Sequence, residues 1–288
     1  EIPAAHLLRS IPSQNINSLL PTIDDALDLY LRVKGEHKKN TFFTHSKRTV
    51  DYLKKSLGCR PLDQYSTADA ATFRDWLRKK GLSSASVQRN FSSLKAMVNF
   101  TIQELGLDCR NAFVGVYLAS DEPLTKRQPL SKNQIRHLQQ TCYQLDDDLR
   151  WLIALISDTG MRLAEAAGLK IEDLKLDHQH PHIKLAPYPH RTLKTKSSER
   201  VIPLVGSSLW AAKRIKESSV NEFCFARYSN EEVCNSNSAS AALNKWIKTI
   251  VGTDAVIHGL RHSFRDRLRA VEAPSELIDQ LGGWSLQS

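Results

Sequence analysis

The sequence predicts a mainly α-helical protein with one small antiparallel β-sheet, divided into a helical bundle and a mixed α/β domain. Apolar residues recur at helical spacing through the first half of the chain and again towards its C-terminal end. Between these parts, around 171–204, short runs of strand-forming residues alternate with polar and basic ones. The segment 119–129 has two prolines, mixed charge and little apolar content, so it suits an exposed linker.

The first part, residues 22–119, is predicted to be a bundle of four helices. Thr22 opens the first helix, because a short polar side chain caps helical amides and acidic residues such as Asp24 suit the positive end of the helix dipole. Gly58 marks the end of the second helix. The four predicted helices cover 22–33, 40–57, 67–81 and 84–105.

The second part, residues 128–288, is predicted to be a mixed domain dominated by helices. Two strands, 182–186 and 200–204, are expected to pair as a hairpin within it. Residues 1–21 are expected to be a lead or linker before both parts, and residues 120–127 a linker that joins them. The predicted helices of the second part cover 131–142, 146–156, 207–218, 237–250, 258–271 and 274–281.

Composition favours a polyanionic partner and excludes several classes of protein. The net charge of +9 suits phosphates, because Lys and Arg that neutralise them release counterions from nucleic acid. No stretch approaches the roughly 20 apolar residues of a membrane crossing, and residues 1–10 lack the apolar run of a signal peptide, so we expect a cytoplasmic protein. The five cysteines are widely spaced without a C-x-x-C pair, which favours reduced, packed thiols.

Neither a metal nor a nucleotide cofactor is expected. His178, His180, His182 and His190 fall at alternate positions that would face one side of a strand, but no cysteine or acidic cluster completes a tetrahedral set of ligands. The sequence also lacks a Gly-rich phosphate loop of the Walker type. Any positive charge that the chemistry needs is therefore expected to come from side chains.

Four short strings occur in a fixed order: TGMRLAE at 159–165, LKT at 193–195, HGLRH at 258–262 and LGGWS at 281–285. The series resembles the active-site boxes of tyrosine recombinases of the phage-integrase type. The helical first part resembles the core-binding domain of that family, so the likeness covers about residues 22–288. Each string alone is common by chance, whereas four in order at family-like intervals are not. The resemblance implies phosphoryl transfer from a DNA phosphodiester to a protein hydroxyl and back.

Two arginines are the candidate phosphate clamps. The transition state of phosphoryl transfer spreads negative charge over the non-bridging oxygens. Arg162 and Arg261 carry planar guanidinium groups, each of which can donate two hydrogen bonds to one phosphate. Glu165 follows Arg162 by three residues on a helix and is expected to support it by orienting it, with an ordinary ion pair as the alternative.

A lysine in the predicted hairpin is the candidate general acid. The resemblance implies that Lys194 protonates the 5′-oxygen leaving group, a task that needs a donor within hydrogen-bond reach. Lys196, two residues further on, would point to the same side of an extended strand and competes for the role. The alternative for either lysine is a contact with the DNA backbone that has no catalytic part.

Three further residues complete the predicted site. His258 precedes Arg261 by three positions and shares its helix face, so it can bind the phosphate or move a proton to or from the attacking hydroxyl. His262 is expected to be a packing or supporting residue and not a catalyst. Trp284 stands where most family members carry histidine. Its indole N–H can donate to a phosphate but cannot transfer a proton, and the alternative is a core tryptophan beside Gly282.

The expected nucleophile lies outside the sequence. The resemblance places a tyrosine shortly after Trp284, at a position beyond Ser288, so the chain as given is expected to be inactive without that segment. All seven tyrosines lie upstream of this position. Tyr188 is the one substitute worth weighing, and we interpret it as a loop residue before the hairpin.

The second and fourth predicted helices are the candidate DNA-binding surface. In the fourth helix, apolar residues such as Phe91 and Leu94 face one side, and small polar and basic residues that suit a DNA groove face the other. A plain solvated face is the alternative for each residue. The candidate DNA-binding residues are Thr44, Lys47, Arg48, Ser86, Gln88, Arg89, Asn90, Ser93 and Lys95.

The leading hypothesis is a nucleoid-associated, site-specific recombinase of a prophage or mobile element that acts through a 3′-phosphotyrosyl intermediate. The resemblance implies several partners: duplex DNA with inverted-repeat core sites, three further copies in a synaptic homotetramer, and accessory DNA-bending proteins. The free protein is expected to be a monomer or weak dimer. Two alternatives remain. A non-catalytic DNA-binding relative or fragment would lack the tyrosine altogether, and a type IB topoisomerase would not assemble a tetramer on an inverted repeat.

Overall fold

A computed structural model describes residues 20–119 and 129–284 of the chain. The described residues form two compact units, one on each side of the gap. They are mainly helical, with one small antiparallel sheet in the second unit, which confirms the predicted fold class. Most of the predicted lead 1–21 and all of the predicted linker 120–127 lie outside the described residues, so the domain boundaries stay a prediction.

Residues 20–119 form a bundle of four α-helices around one hydrophobic core, as the sequence predicts. Ile23, Phe73 and Phe91 are among its fully buried side chains. Thr22 caps the first helix reciprocally: its hydroxyl accepts from the Asp25 N–H at 3.3 Å, and its own N–H donates to the Asp25 carboxylate at 2.8 Å. The helices are α1 (Ile23–Lys34), α2 (Asn40–Leu57), α3 (Thr67–Lys79) and α4 (Ser84–Leu105).

Residues 129–284 pack around a central helix, α6, whose residues from Leu152 to Ser157 are all buried. A helix that is apolar on every side belongs in a core, and this one packs against α5, α8 and α10. The second unit thus has a hydrophobic core of its own. Its helices are α5 (Lys132–Leu145), α6 (Asp148–Thr159), α7 (Leu163–Ala167), α8 (Gly206–Ser218), α9 (Ser236–Val251), α10 (Ile257–Arg269) and α11 (Ser275–Gly282).

The second unit also carries a three-stranded antiparallel sheet in the order β1–β2–β3. The predicted pair of strands is present, with Ile183 opposite Ile202 and Leu185 opposite Arg200. All four residues are buried, so Arg200 lies on the inward-facing side of its strand. The additional strand has two residues, which is too short for alternation to show in a sequence. The strands are β1 (Leu174–Lys175), β2 (His182–Leu185) and β3 (Arg200–Pro203).

The connection between β2 and β3 does not continue as an extended strand. Lys196–Ser198 form a short 3₁₀ turn, closed by a hydrogen bond from the Ser198 N–H to the Thr195 carbonyl at 3.0 Å. The expectation of an extended strand that runs through Lys194 and Lys196 is therefore wrong. The side chain of Lys196 lies outside what the structure describes.

Among the described helices, none combines the length and the apolar character that a membrane crossing requires. The described residues also contain no group of three or more His, Cys, Asp or Glu side chains placed to hold a metal ion. The rings of His178 and His182 do meet, at 4.9 Å between centroids, and Nδ1 of each ring contacts the His180 carbonyl. Local hydrogen bonding thus accounts for these histidines.

Candidate active site and nucleic-acid surface

Arg162 immediately precedes α7, where its backbone N–H donates to the Glu165 carboxylate at 2.9 Å. Its Nη1 donates to Glu165 Oε1 at 2.6 Å and to Ser198 Oγ at 2.9 Å. Its Nη2 donates to the Gly283 carbonyl at 3.2 Å. Arg162 therefore links α7 to the β2–β3 turn and to the end of α11, three parts of the chain that carry three of the four strings.

The Glu165 carboxylate is the buried centre of this cluster, with only 4% of its side chain exposed. It accepts from Arg162 through Oε1 and from Arg200 Nη2 through Oε2, the latter at 3.0 Å. Burial raises the pKa of Glu165, but the charge and hydrogen bonds of Arg200, together with those from Arg162, outweigh it and hold the pKa below its ordinary value. The predicted contact with Arg162 is present, and a second arginine shares it.

Arg200 is the residue of this cluster that sequence reasoning missed. Its guanidinium donates to the Ser198 carbonyl at 2.7 Å and to the Leu281 carbonyl at 2.8 Å, besides Glu165. Desolvation lowers the pKa of Arg200, although the Glu165 carboxylate opposes that shift. The available signal was strand alternation, because a charged residue two positions before Ile202 must share its inward face.

Arg261 is buried on α10, with 3% of its surface exposed. Nη1 donates to the Gly160 carbonyl at 2.5 Å, whereas the equally buried Nη2 has no hydrogen-bond partner within the described residues. Burial, followed by the positive charge of Arg162, lowers the pKa of Arg261 to about 9. A buried guanidinium that keeps a free donor beside a second arginine is an environment that favours a bound anion.

The Trp284 ring lies against two arginines. Its centroid is 4.3 Å from the Arg261 guanidinium carbon and 4.9 Å from that of Arg265, distances typical of cation–π contacts. The ring also packs directly on Gly282, where a Cβ atom would overlap it. Trp284 is thus beside Arg261, as the predicted site requires, and packed against glycine, as the alternative requires.

His258 and His262 lie one turn apart on α10, and both are exposed. Their rings meet edge to face at 4.9 Å between centroids. His262 is therefore not buried, and its contact with His258 fits the expected supporting position. Lys194 is exposed in the connection between β2 and β3.

Tyr188 lies earlier in the same connection, after β2 and not before the hairpin as expected. Its hydroxyl donates to Glu172 at 2.8 Å and contacts Asp173 at 3.3 Å, and its ring lies beside the buried Arg191. Desolvation and these carboxylates raise the pKa of Tyr188 above its ordinary value. A hydroxyl that resists ionisation is a poor nucleophile, which agrees with its interpretation as a loop residue.

Five of the candidate DNA-binding side chains are exposed on α2 and α4, and three are half-buried. Among the exposed ones, Arg48 contacts His45 at 3.4 Å and Thr44 donates to the Asn40 carbonyl at 3.0 Å. The exposed residues are Thr44, Lys47, Arg48, Gln88 and Arg89. The half-buried residues are Ser86, Ser93 and Lys95.

Asn90 is the exception, because it is 5% exposed and both polar atoms of its amide are hydrogen-bonded. Nδ2 donates to the Ser86 carbonyl at 2.8 Å, and Oδ1 accepts from Thr49 Oγ1 at 2.9 Å. Asn90 was a candidate DNA-binding residue, but in this structure its buried side chain joins α2 to α4. Asn90 lies on α4 at the border between the apolar side, which includes Phe91, and the polar side, so the sequence is compatible with a buried or an exposed side chain.

His45, which the sequence did not single out, lines a small groove between α2 and α4 together with Arg48, Ser86 and Arg89. Its Nε2 is buried without a hydrogen-bond partner among the described residues. Burial lowers the pKa of His45, which favours the neutral ring. A lone histidine on an amphipathic helix carries no signal of this kind in sequence.

Two family patterns match the chain. The pattern of the phage integrase family matches residues 128–288, more than half of the chain. The chain belongs to the phage integrase family. The N-terminal SAM-like domain of phage integrases matches residues 25–105, which cover most of α1 and all of α2, α3 and α4.

Relatives of known name agree with this assignment. The chain is 29% identical over 201 residues to the transposase of transposon Tn916 from Enterococcus faecalis, and this match covers 64% of the chain but only 48% of that protein. It is 25% identical over 236 residues to tyrosine recombinase XerC of Shewanella amazonensis, covering 79% of the chain and 75% of XerC. The chain thus spans about half the length of the Tn916 relative.

Solved structures share the fold. The integrase of transposon Tn1549, in complex with a circular intermediate DNA, matches 92% of both chains with a TM-score of 0.70 and 20% identity. A lambda integrase tetramer bound to a Holliday junction matches 99% of this chain and 83% of its own, with a TM-score of 0.77 and 17% identity. At such identities the likeness establishes the fold.

Proposed function

We propose that this protein is a site-specific recombinase that cleaves and rejoins duplex DNA through a 3′-phosphotyrosyl intermediate. The observation that carries the proposal is Arg261, a buried arginine whose Nη2 has no partner among the described residues and which lies near the charge of Arg162. Two guanidinium groups around an anion site suit the pentavalent phosphorus of strand cleavage. Membership of the phage integrase family supports the same reaction.

In the proposed cleavage step, a tyrosine oxygen forms a bond to the scissile phosphorus while the bond from phosphorus to the 5′-oxygen breaks. The tyrosine proton leaves to a base, for which exposed His258 is placed one helical turn before Arg261. Lys194 supplies a proton to the departing 5′-oxygen. Rejoining runs the same transfers in reverse, so no nucleotide cofactor enters the reaction.

Arg162 and Arg261 bind the non-bridging oxygens in this proposal. Glu165 keeps Arg162 in place, and the Trp284 ring covers one side of the Arg261 guanidinium. A tryptophan can shield or donate to the phosphate but cannot carry a proton. The proton transfers therefore fall to His258 and Lys194.

The DNA partner is proposed to be a duplex with inverted-repeat core sites, bound by the basic faces of α2 and α4 through Lys47, Arg48 and Arg89. The solved relatives support this, since they include an integrase on a circular intermediate DNA and a tetramer on a Holliday junction. We propose the same assembly here: a monomer or weak dimer when free, a homotetramer in synapsis, and accessory bending proteins where a site requires them. The reaction would take place on cytoplasmic, nucleoid DNA.

A suicide substrate tests the function. The full-length gene product, incubated with a nicked core site, should form a protein–DNA adduct that survives denaturant. Arg261→Ala should lower the rate of adduct formation by about 100-fold or more, because one preformed donor to a transition-state oxyanion contributes a factor of that size. Arg214→Ala is the matched control: this arginine pairs with Asp146 near the far end of α6 and should leave the rate unchanged. DNA binding without an adduct would favour the non-catalytic alternative.

A second measurement separates recombination from supercoil relaxation. Gel filtration or mass photometry on a defined inverted repeat should show a tetramer that recombines two sites. Relaxation of plasmids without sequence preference, in the absence of any tetramer, would instead support a type IB topoisomerase.

A further inference from the structure

Ser198, in the β2–β3 turn, is hydrogen-bonded to both arginines that bind Glu165. Arg162 Nη1 donates to Ser198 Oγ at 2.9 Å, and Arg200 Nη1 donates to the Ser198 carbonyl at 2.7 Å. Ser198 itself is fully buried, in a connection whose neighbouring residues are exposed. The turn is therefore fixed at one residue by both guanidinium groups.

The same residue fixes the end of the segment that carries Lys194. The Ser198 N–H donates to the Thr195 carbonyl at 3.0 Å, and the two hydroxyls of these residues lie 3.0 Å apart. Thr195 also contacts Ser197 Oγ at 2.9 Å. Because Thr195 directly follows Lys194, the backbone at Lys194 has one end tied to Ser198 while its side chain stays exposed.

Arg200 connects Ser198 to two further parts of the site. It reaches Glu165 through Nη2 and the Leu281 carbonyl through Nε, so its planar group makes three hydrogen bonds in three directions. Gly283 lies so close that a Cβ atom there would stand 2.8 Å from Arg200 Nη1. An ammonium group has no planar fork and cannot reproduce this set of directions.

We propose that Arg200 is a positioning residue for the leaving-group step: by holding Ser198 against Glu165 and Leu281, it places the Lys194 turn in register with the phosphate clamps. This inference rests on the proposed function and goes beyond it, since none of the four strings contains Arg200. Arg200 is assigned no contact with DNA; it acts through the turn.

A substrate with an altered leaving group tests the proposal. When sulfur replaces the bridging 5′-oxygen, the bond from phosphorus to sulfur breaks and a thiolate departs without a proton, because a thiol is far more acidic than an alcohol. On the oxygen substrate, Arg200→Lys in the full-length gene product should cleave at least about tenfold more slowly, given that general acids contribute factors of about 100 or more. On the sulfur substrate it should cleave within a few-fold of the unchanged protein.

Three variants make the result specific. Lys194→Ala should show the same rescue by sulfur, whereas Arg261→Lys should stay slow on both substrates because it weakens a phosphate clamp. Ser198→Ala removes the hydroxyl contacts to Arg162 and Thr195 but keeps its carbonyl, so it should shift the oxygen-to-sulfur rate ratio in the same direction as Arg200→Lys. It also serves as the working variant if Arg200→Lys fails to fold.

Ile215→Ala is the control for plain destabilisation. Ile215 is buried on α8, next to Arg214. Arg214 binds Asp146, which lies just before α6, whereas Arg162 lies beyond the opposite end of α6. Thermal unfolding and DNA affinity are measured for every variant. Ile215→Ala should lower stability and leave the oxygen-to-sulfur ratio unchanged.

The outcomes separate the inference from the proposed function. Equal slowing of Arg200→Lys on both substrates, or no slowing on oxygen, would overturn the positioning role. If the unchanged protein forms no adduct with either substrate, the recombinase function itself fails. If Lys194→Ala is not rescued by sulfur, the acid is assigned wrongly, and the inference about Arg200 falls with it.

Discussion

Glu165 shows how a buried charge is maintained beside two arginines. The carboxylate is almost completely desolvated, which alone would favour its neutral form, yet Arg200 and Arg162 each supply a charged donor. Removing one partner of such a group leaves the others buried and uncompensated, which is costlier than the pair is worth. The three side chains are therefore expected to behave as a unit.

Glu165→Gln is expected to lower the free energy of unfolding of the second unit by about 3–5 kcal/mol at neutral pH, as a broken buried pair does. The folded-state pKa of Glu165 lies below its ordinary value of 4.5, so the carboxylate's contribution is fully present above that value and is lost as the pH falls through the folded-state pKa. Urea titrations of both proteins at several pH values should show a difference that is constant near neutrality and shrinks in acid. A difference that persists unchanged in acid would contradict this account.

Asn90 supports a second residue-scale prediction. Asn90→Ala removes the acceptor of Thr49 Oγ1 and leaves that buried hydroxyl unpaired, so it should destabilise the first unit by about 1–3 kcal/mol. Gln88→Ala, two residues away and exposed, should change stability by less than about 0.5 kcal/mol. Chemical denaturation measures both effects. A change in DNA sequence preference for Asn90→Ala without any loss of stability would contradict this structural role and support a direct contact with DNA.

Helices with caps and an apolar stripe could be predicted from the sequence, because those signals are local. The four helices of the first unit begin and end within about two residues of their expected positions, a scatter that methods of assignment share. The helix α7 could not be predicted, since five residues make less than two turns and show no period. The role of Arg200 could not be predicted for a different reason. Its partners Glu165 and Leu281 are distant in sequence, and only the tertiary structure brings them together.

The end of α11 allows a matched comparison of two glycines. Gly283 and Gly106 both follow helices with a φ near +60° (62° and 61°), but a Cβ atom would meet Arg200 at Gly283 and nothing within 4 Å at Gly106. Gly106→Ala should cost about 1–2 kcal/mol from backbone strain alone. Gly283→Ala should cost more and also slow adduct formation, because it displaces Arg200. Equal losses of stability, measured for each unit by denaturation, would show that the close approach has no energetic weight.

The whole molecule has two hydrophobic cores that share no side chain among the described residues. Each unit is large enough to bury a core of its own, and the sequence predicts a linker between them. The composition of 119–129 and the change of periodicity along the chain predict the division, because both are properties of long segments. The positions of individual atoms in the site are not properties of long segments, because they depend on a few hydrogen bonds.

Residues 22–119 are accordingly expected to fold alone, with a single cooperative thermal transition by circular dichroism. Limited proteolysis of the whole chain should cut first between Ala119 and Pro129, where the predicted linker lies, and release both units intact. First cleavage within 40–105 would contradict the boundary. A fragment 22–119 without a cooperative transition would show that the bundle depends on the rest of the chain.

The acceptors that bind the end of α11 to the site are backbone carbonyls: Leu281 O receives Arg200 and Gly283 O receives Arg162. Every residue type presents the same carbonyl, so Leu281→Ala would leave the contact with Arg200 in place and would not reveal it. Backbone chemistry would reveal it instead, since an ester in place of an amide weakens the carbonyl as an acceptor while sparing every side chain.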